Sequence, residues 1–333
     1  MKIKILDVIK YLISFAIAIG LFAYLYQGKD IGKMFSDLLT VKFKWVFASF
    51  VVTFISHFSR GWRWSIMLKP LGYNVGLTRP FLAVMAAYFA NFILPRMGEV
   101  VRCTVLQRTD SVPFQKSFGA VIAERAFDLV CLILVTITAV FLQFSQLETL
   151  LNEVFSGGES VETQNNRKFI LGGIVIVGGI GTLIIWFVFK KKIQELSLYK
   201  KVIEILSGVK DGFLSVLKLN PTDKILFFVH TIVIWFGYFL TSYFLFFALP
   251  ETSHLSWDCA LTILAMSGVA IVAPVQGGIG VYHYLISKTL MIYDVAEATA
   301  KYFAFMAHNS QTILLIGVGS VCLLITFLIK RRS

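Results

Sequence analysis

Long apolar runs, separated by short polar stretches, dominate the 333-residue chain. A backbone that crosses hydrocarbon must satisfy its own hydrogen bonds, and a helix of about 20 apolar residues does so while spanning a core of about 30 Å. The pattern therefore predicts an all-α polytopic membrane protein with about six to eight transmembrane helices. The predicted apolar segments are residues 8–26, 45–68, 81–94, 126–144, 169–189, 225–249, 257–273, 281–292 and 302–329.

Some of these segments are too short to span the membrane, and they end at helix-breaking residues. Segment 81–94 stops at Pro95 and segment 257–273 stops at Pro274, while Gly98 follows the first proline. Proline removes a backbone donor and glycine admits left-handed turns, so helices break there. The alternative is an ordinary loop between full spans. The predicted broken or re-entrant segments lie near residues 81–112 and 257–292.

The order span, span, broken segment, span occurs twice along the chain. Pro95-x-x-Gly98-Glu99 in the first half corresponds to Pro274-x-x-Gly277-Gly278 in the second. Paired interruptions of this kind are typical of transporters with inverted repeats. We predict two inverted membrane repeats, residues 1–150 and 151–333, with a surface-lying segment at residues 190–224.

Charge supports the membrane class and sets an orientation. Charged residues make up 15% of the chain, against about 25% in soluble domains. The net charge of +12 lies mostly between the spans and at the chain ends, which indicates positive-inside orientation and anionic lipid as a partner rather than nucleic acid. We expect a multi-pass protein of the cell (inner, cytoplasmic) membrane with both termini in the cytoplasm.

Charged residues surround the first predicted break. Arg96 and Arg102 could bind a lipid phosphate, because guanidinium groups match phosphate oxygens. Glu99 could pair with an arginine or meet a cationic headgroup. The alternative is a loop whose charges are solvated.

Further ionisable residues begin the span after that break. Glu124 and Asp128 are four residues apart and share a helix face, with Arg125 beside them. They are expected to pair with Arg96, Arg102 or Arg60 across the bundle. Both a structural ion-pair network and a functional site fit this pattern.

Other candidate binding residues also fit a purely structural role. Arg60 and Arg63, flanked by tryptophans, fit an interfacial anchor or a headgroup contact. Asn91 could bond backbone groups freed by the break. At the second break the backbone amides of three glycines could hold an anion. His283 follows them and fits a satisfied core histidine or a transport residue. The three glycines are Gly277, Gly278 and Gly280.

Four segments carry a family resemblance. They read RGWRW, YFANFILPRMGEVVR, AERAFDL and APVQGGIGVYH, and they begin at residues 60, 88, 123 and 273. The chain resembles the transmembrane domain of lysylphosphatidylglycerol synthases, a family that includes stand-alone, flippase-like UPF0104 proteins. The resemblance implies a flippase for a phospholipid, with aminoacylated phosphatidylglycerol among the candidates, or for a lipid-linked headgroup. In the full-length synthases a soluble aminoacyl-transfer domain follows the membrane domain, and we expect this chain to lack it.

No motif of the sequence indicates an enzyme. A Walker loop, an HExxH motif and a nucleophile elbow are all missing from the 333 residues. We therefore expect no catalytic residue, no metal and no cofactor. Two alternatives stay open: an integral-membrane transferase with Glu99, Glu124 or Asp128 as base, and a membrane partner that recruits a separate lipid-modifying enzyme through residues 190–224.

Overall fold

The computed structural model describes residues 41–94, 97–143, 216–272 and 275–329. Residues 1–139 and 212–333 form one compact unit, and residues 140–211 form a second unit. Several predictions fall outside the described residues. These are the spans at 8–26 and 169–189, most of the 190–224 segment, and Pro95, Arg96 and Pro274.

Every regular element among the described residues is helical, as the sequence predicts. Three short 3₁₀ turns, at Lys69–Leu71, Pro250–Thr252 and Gln276–Gly278, accompany the α-helices. The α-helices are α1 Phe43–Leu68, α2 Thr78–Ile93, α3 Gly98–Asp110, α4 Phe114–Leu142, α5 Pro221–Phe246, α6 Trp257–Val272, α7 Val281–Ile292 and α8 Glu297–Leu328.

Within that described part, three helices are long and apolar enough to cross a membrane: α4, α5 and α8. Helix α6 is apolar but shorter. Helix α1 has 26 residues, and its second half carries buried arginines that lower its hydropathy. The helical membrane class is thus established, while the full number of spans remains a prediction.

Helices α4 and α3 depart most from the sequence prediction. Helix α4 begins at Phe114, twelve residues before the predicted span, because its first turns bury small residues such as Ser117 and Ala120 in the bundle. Helix α3 lies within the predicted broken segment 81–112, at residues that belong to none of the predicted apolar segments. Its polar residues lower the hydropathy, yet Cys103 and Leu106 are fully buried.

Helices α2 and α3 form the first hairpin. The helix is interrupted where predicted, since α2 ends at Ile93 and α3 begins at Gly98. Asn91 Oδ1 accepts a hydrogen bond of 2.7 Å from Gly98 N at this end, which we call the tip. At the open end, Arg79 Nη1 donates to Asp110 Oδ1 at 2.8 Å, so the start of α2 lies beside the end of α3.

Helices α6 and α7 form the second hairpin. Its tip is a turn in which Gly277, Gly278 and Gly280 all have positive φ, a region that favours glycine. Near its open end, the Thr262 and Tyr293 hydroxyls lie 2.9 Å apart. Both interrupted segments therefore turn back on themselves.

Helix α8 contacts both hairpins at opposite ends. It begins at Glu297, just after the open end of the second hairpin. Midway along, His308 Nε2 lies 2.8 Å from Gly277 O at the second tip. Near its last residues, Arg108 Nη2 donates to the carbonyls of Thr326 and Phe327 at 2.9 and 2.7 Å. Helix α8 thus runs from the open end of one hairpin to the open end of the other.

Candidate functional site

An ion cluster joins α1, α3 and α4. Arg60 Nη1 lies 3.2 Å from Glu124 Oε1 and 2.9 Å from Asp128 Oδ2. Arg63 Nη2 lies 3.3 Å from Glu124 Oε1 and 2.6 Å from Asp128 Oδ1. Arg102 pairs with the other oxygen of Glu124. Spacings of three and four residues on α1 and α4 place each pair on one helix face, so the cluster follows from the helical period.

The cluster is withdrawn from the surface. Arg63 and Glu124 are 0% exposed, and Arg60 and Arg102 are 4% and 2% exposed. Taking an ion out of water costs several kcal/mol, which only dense pairing offsets. Neighbouring groups add to that pairing: Arg63 Nη1 donates to Thr231 Oγ1 at 3.1 Å.

The charges within the cluster do not cancel. Three guanidinium groups face two carboxylates, so three positive charges against two negative charges leave one positive charge in excess. The Nε donors of Arg60, Arg63 and Arg102 also have no hydrogen-bond partner among the described residues. Excess positive charge with unused donors is the chemistry that binds an anion.

A small recess opens beside the cluster at the tip of the first hairpin. Arg60 and Arg102 line it together with Tyr88, Asn91 and Gly98. Glu99 and Arg125 also border it, and they form an ion pair of 3.0 Å whose side chains are 26% and 46% exposed. The recess has a volume of about 10 Å³, which is room for about one water molecule. A larger ligand would have to separate the surrounding helices.

The structure bears out several sequence predictions about these residues. Glu124 pairs with Arg60 and Arg102, as expected, and Asp128 pairs with Arg60. Glu99 does pair with an arginine, Arg125. Asn91 bonds the backbone freed by the break, at Gly98 N.

One interpretation is wrong. Arg60 and Arg63 are not interfacial anchors, because both side chains are buried and face carboxylates instead of a membrane surface. The sequence shows an arginine beside a tryptophan but not which helix covers it. Trp64 serves a different purpose, since the Arg102 guanidinium stacks 4.0 Å from its ring centroid.

The residues of the second break form a separate group. Gly280 N donates to His283 Nδ1 at 3.3 Å, and Gly278 N donates to Val275 O at 3.4 Å, so these two amides are engaged within the turn. His283 is 2% exposed and packs against His308, with ring centroids 4.8 Å apart. None of these residues borders the recess.

Three residues at the cluster were not predicted from the sequence. Thr231 lies on α5 and bonds Arg63. Tyr88 lines the recess, and the His57 ring packs against the Tyr88 ring with centroids 4.4 Å apart. His57 lies three residues before Arg60, so helical spacing could have placed it on the arginine face. Thr231 and Tyr88 carry no local signal, because hydroxyl-bearing residues are common in membrane helices.

The fold and this cluster define a helical integral membrane protein with a charged site inside its bundle. The family described as the lysylphosphatidylglycerol synthase transmembrane (TM) region matches this chain over residues 11–319. The chain belongs to that family.

Two curated relatives are similar to parts of the chain. A UPF0104 membrane protein of Methanocaldococcus jannaschii is 31% identical over 149 residues, which cover 44% of this chain and 40% of the relative. Glycosyltransferase AglD of Haloferax volcanii is 24% identical over 301 residues, which cover 83% of this chain and 48% of the relative. The chain thus spans less than half the length of each relative. No solved structure matches it.

Proposed function

We propose that the chain moves a phospholipid, or another lipid with an anionic headgroup, between the leaflets of the cell membrane. The observation that carries the proposal is the buried cluster with one excess positive charge beside a recess at a helix interruption. Ionised groups inside a membrane bundle are costly and usually mark a pathway for a polar ligand. A phosphate diester carries the single negative charge that would balance the cluster.

The hairpin arrangement supports an inverted repeat. The two hairpins open toward opposite ends of α8, through Tyr293 just before its start and Arg108 beside its last turn. Their tips meet, since Phe92 of the first packs against Gly277 of the second. Two hairpins entering from opposite faces and meeting midway are what residues 1–150 and 151–333 would form as inverted halves, with both termini in the cytoplasm.

Movement at the first tip would admit the headgroup. The recess holds about one water molecule, so the α2–α3 tip must separate from α4 before a phosphate can reach Arg102. The half-exposed Glu99–Arg125 pair lies on this path. An aminoacylated lipid would exchange partners there, its ammonium group binding Glu99 while its phosphate binds an arginine.

Leaflet exchange in vesicles tests the proposal. The purified chain is reconstituted into vesicles that contain fluorescent phosphatidylglycerol, and an impermeant reductant bleaches the outer leaflet. Vesicles with the chain should bleach beyond the outer-leaflet fraction, and protein-free vesicles should not. Bleaching that stops at the same fraction in both preparations overturns the proposal.

Two charge-removing variants locate the site. Arg125→Gln breaks the Glu99 pair at the recess, and Lys301→Gln breaks the Glu297 pair on α8, which has an N–O distance of 2.7 Å. We expect Arg125→Gln to slow exchange about tenfold, the factor given by 1.4 kcal/mol, and Lys301→Gln to leave it unchanged. Equal rates of leaflet exchange in the two variants would show that the lipid headgroup does not pass through the recess.

A second candidate function is an integral-membrane transferase that acts on a lipid-linked substrate, and the relative that is named a glycosyltransferase favours it. The shared region covers 48% of that relative, so its name does not assign the transfer to the shared part. Within the described ranges, no group of three or more His, Cys, Asp or Glu side chains could hold a metal. Glu124 and Asp128 already face arginines, which leaves them poorly placed as general bases.

Glycosyl transfer by the chain alone separates the candidates. The reconstituted chain is incubated with a radiolabelled nucleoside diphosphate sugar and total membrane lipid. Transport without transfer predicts no labelled lipid product. A labelled lipid formed by the purified chain would establish the transferase alternative instead.

A further inference from the structure

A second cavity lies on the far side of the first hairpin from the ion cluster. It is a groove of about 470 Å³ between α2, α3 and the last turns of α8. Phe89, Ile93, Val101, Leu323 and Phe327 are among its lining residues. The groove is therefore apolar along most of its length, in contrast to the recess.

The polar residues in its wall are mostly satisfied by their own helices. Thr104 Oγ1 donates to Val100 O at 2.8 Å, and Thr326 Oγ1 donates to Leu323 O at 2.6 Å. Water needs two to four polar partners to occupy a cavity stably, and this wall offers few. Hydrocarbon is the occupant that such a wall favours, because α8 is a candidate span whose surroundings are lipid.

The dimensions of the groove fit one leaflet. It extends along α3 from Met97 at the tip to Arg108 near the open end. At 1.5 Å per residue these residues are separated by about 16 Å along the helix, roughly half of a hydrocarbon core of about 30 Å. An extended acyl chain of similar length would lie along the groove and match its apolar lining.

A cation lies at one end of the groove. Arg108 Nη2 is held by the carbonyls of Thr326 and Phe327, while Nη1 and Nε form no hydrogen bond with the described residues. No described carboxylate lies within ion-pair distance of Arg108, and the nearby Asp110 pairs with Arg79. The sequence continues from α8 into Lys330, Arg331 and Arg332, which marks this end as a membrane surface attractive to anionic lipid.

We propose that this groove is a binding site for one phospholipid, with an acyl chain against α2, α3 and α8 and the phosphate at Arg108. Arg108, the one cation among the described lining residues, selects anionic phospholipids over zwitterionic ones. The site goes beyond transport, because a lipid bound there stabilises the contact between α3 and α8 whether or not it crosses the membrane.

Lipid retention by the purified chain tests the groove. The protein is delipidated in detergent, exposed to phosphatidylglycerol or phosphatidylcholine, and the bound lipid is counted by native mass spectrometry. Wild-type chain should retain about one phosphatidylglycerol and markedly less phosphatidylcholine.

Two variants with matched controls probe the two parts of the site. Thr104 and Gln107 are both exposed on α3, but only Thr104 lines the groove. We expect Thr104→Trp to lower retention of both lipids about tenfold and Gln107→Trp to leave retention unchanged. Arg108→Gln should reduce phosphatidylglycerol to the level of phosphatidylcholine, whereas Lys116→Gln, an exposed cation at the start of α4, should not.

The outcomes distinguish this site from the proposed function. If Thr104→Trp, Arg108→Gln and the wild type retain the same amount of lipid, the proposed lipid site in the groove is overturned, even if leaflet exchange is observed. A change of oligomeric state in Thr104→Trp without a change in lipid would identify a second copy as the occupant and also overturn it. Retention with the expected losses but without leaflet exchange supports the groove and counts against transport.

Discussion

Phe92 and Gly277 bring the two helix interruptions into contact. A Cβ atom added to Gly277 would lie 3.2 Å from Phe92 Cε1, closer than ordinary side-chain packing. Phe92 lies at the end of α2 and Gly277 in the turn between α6 and α7, more than 180 residues later. The tips of the two hairpins are thus packed on each other, the arrangement that a shared headgroup pathway requires.

This contact predicts that Gly277→Ala destabilises the chain. Gly277 has a φ of 61°, where a side chain costs about 1–2 kcal/mol, and its new methyl group would press on Phe92. Thermal unfolding in detergent should therefore occur at a lower temperature. The control is Gly317→Ala in α8, where a Cβ meets nothing within 4 Å and helix propensity favours alanine by about 1 kcal/mol. If both changes lowered the melting temperature equally, the close contact between Gly277 and Phe92 would be contradicted.

The hydrogen bond between the two helices at the first tip predicts a difference between two substitutions of one residue. Asn91→Ala removes the acceptor for Gly98 N and should cost about 0.5–1.5 kcal/mol, the usual net contribution of a hydrogen bond. Asn91→Asp keeps an oxygen in that place and should retain most of the stability. Both are measured as free energies of unfolding in the same detergent. Equal losses would show that the hydrogen bond contributes little.

The ion cluster predicts a large loss from a nearly isosteric change. Glu124→Gln leaves the three arginines with Asp128 as their only described carboxylate, and breaking a buried pair this way costs about 3–5 kcal/mol. The yield of folded protein and its melting temperature should both fall. Glu251→Gln, which changes an exposed residue of a 3₁₀ turn, is the control and should change neither. A loss below about 1 kcal/mol for Glu124→Gln would mean that the arginines find other partners.

The opposite openings of the hairpins predict opposite accessibility. In a background without the four native cysteines, Ser111→Cys marks the open end of the first hairpin and Ala296→Cys that of the second; both positions are exposed. An impermeant thiol reagent added outside sealed cells should label Ala296→Cys, and Ser111→Cys only after the membrane is opened. Labelling of both from the same side would exclude inverted hairpins.

Local sequence predicted much of the framework. The apolar runs predicted α5, α6, α7 and α8 within about five residues, because a membrane helix must be apolar over its whole length. The spacing of Glu124 and Asp128 predicted that both carboxylates share one face. Proline and glycine predicted the interruptions.

Other features could not be read locally. Helix α3 is missing from the predicted apolar segments because its polar residues keep its hydropathy low, and Cys103 and Leu106 are buried by packing against residues of other helices. Arg60 and Arg63 resembled anchors because the sequence next to them is rich in tryptophan, and only the helices packed around α1 show them to be buried.

By itself, the sequence determined that the chain is a helical membrane protein, where its helices break and which charged residues lie near one break. These properties depend on hydropathy and helical period within short windows, so they are encoded locally. The tertiary structure alone decided which charges pair, that Thr231 contacts Arg63 from 168 residues away, and that Arg108 and Thr326 close one groove across 218 residues. Such contacts depend on how distant helices pack, and no local pattern specifies that packing.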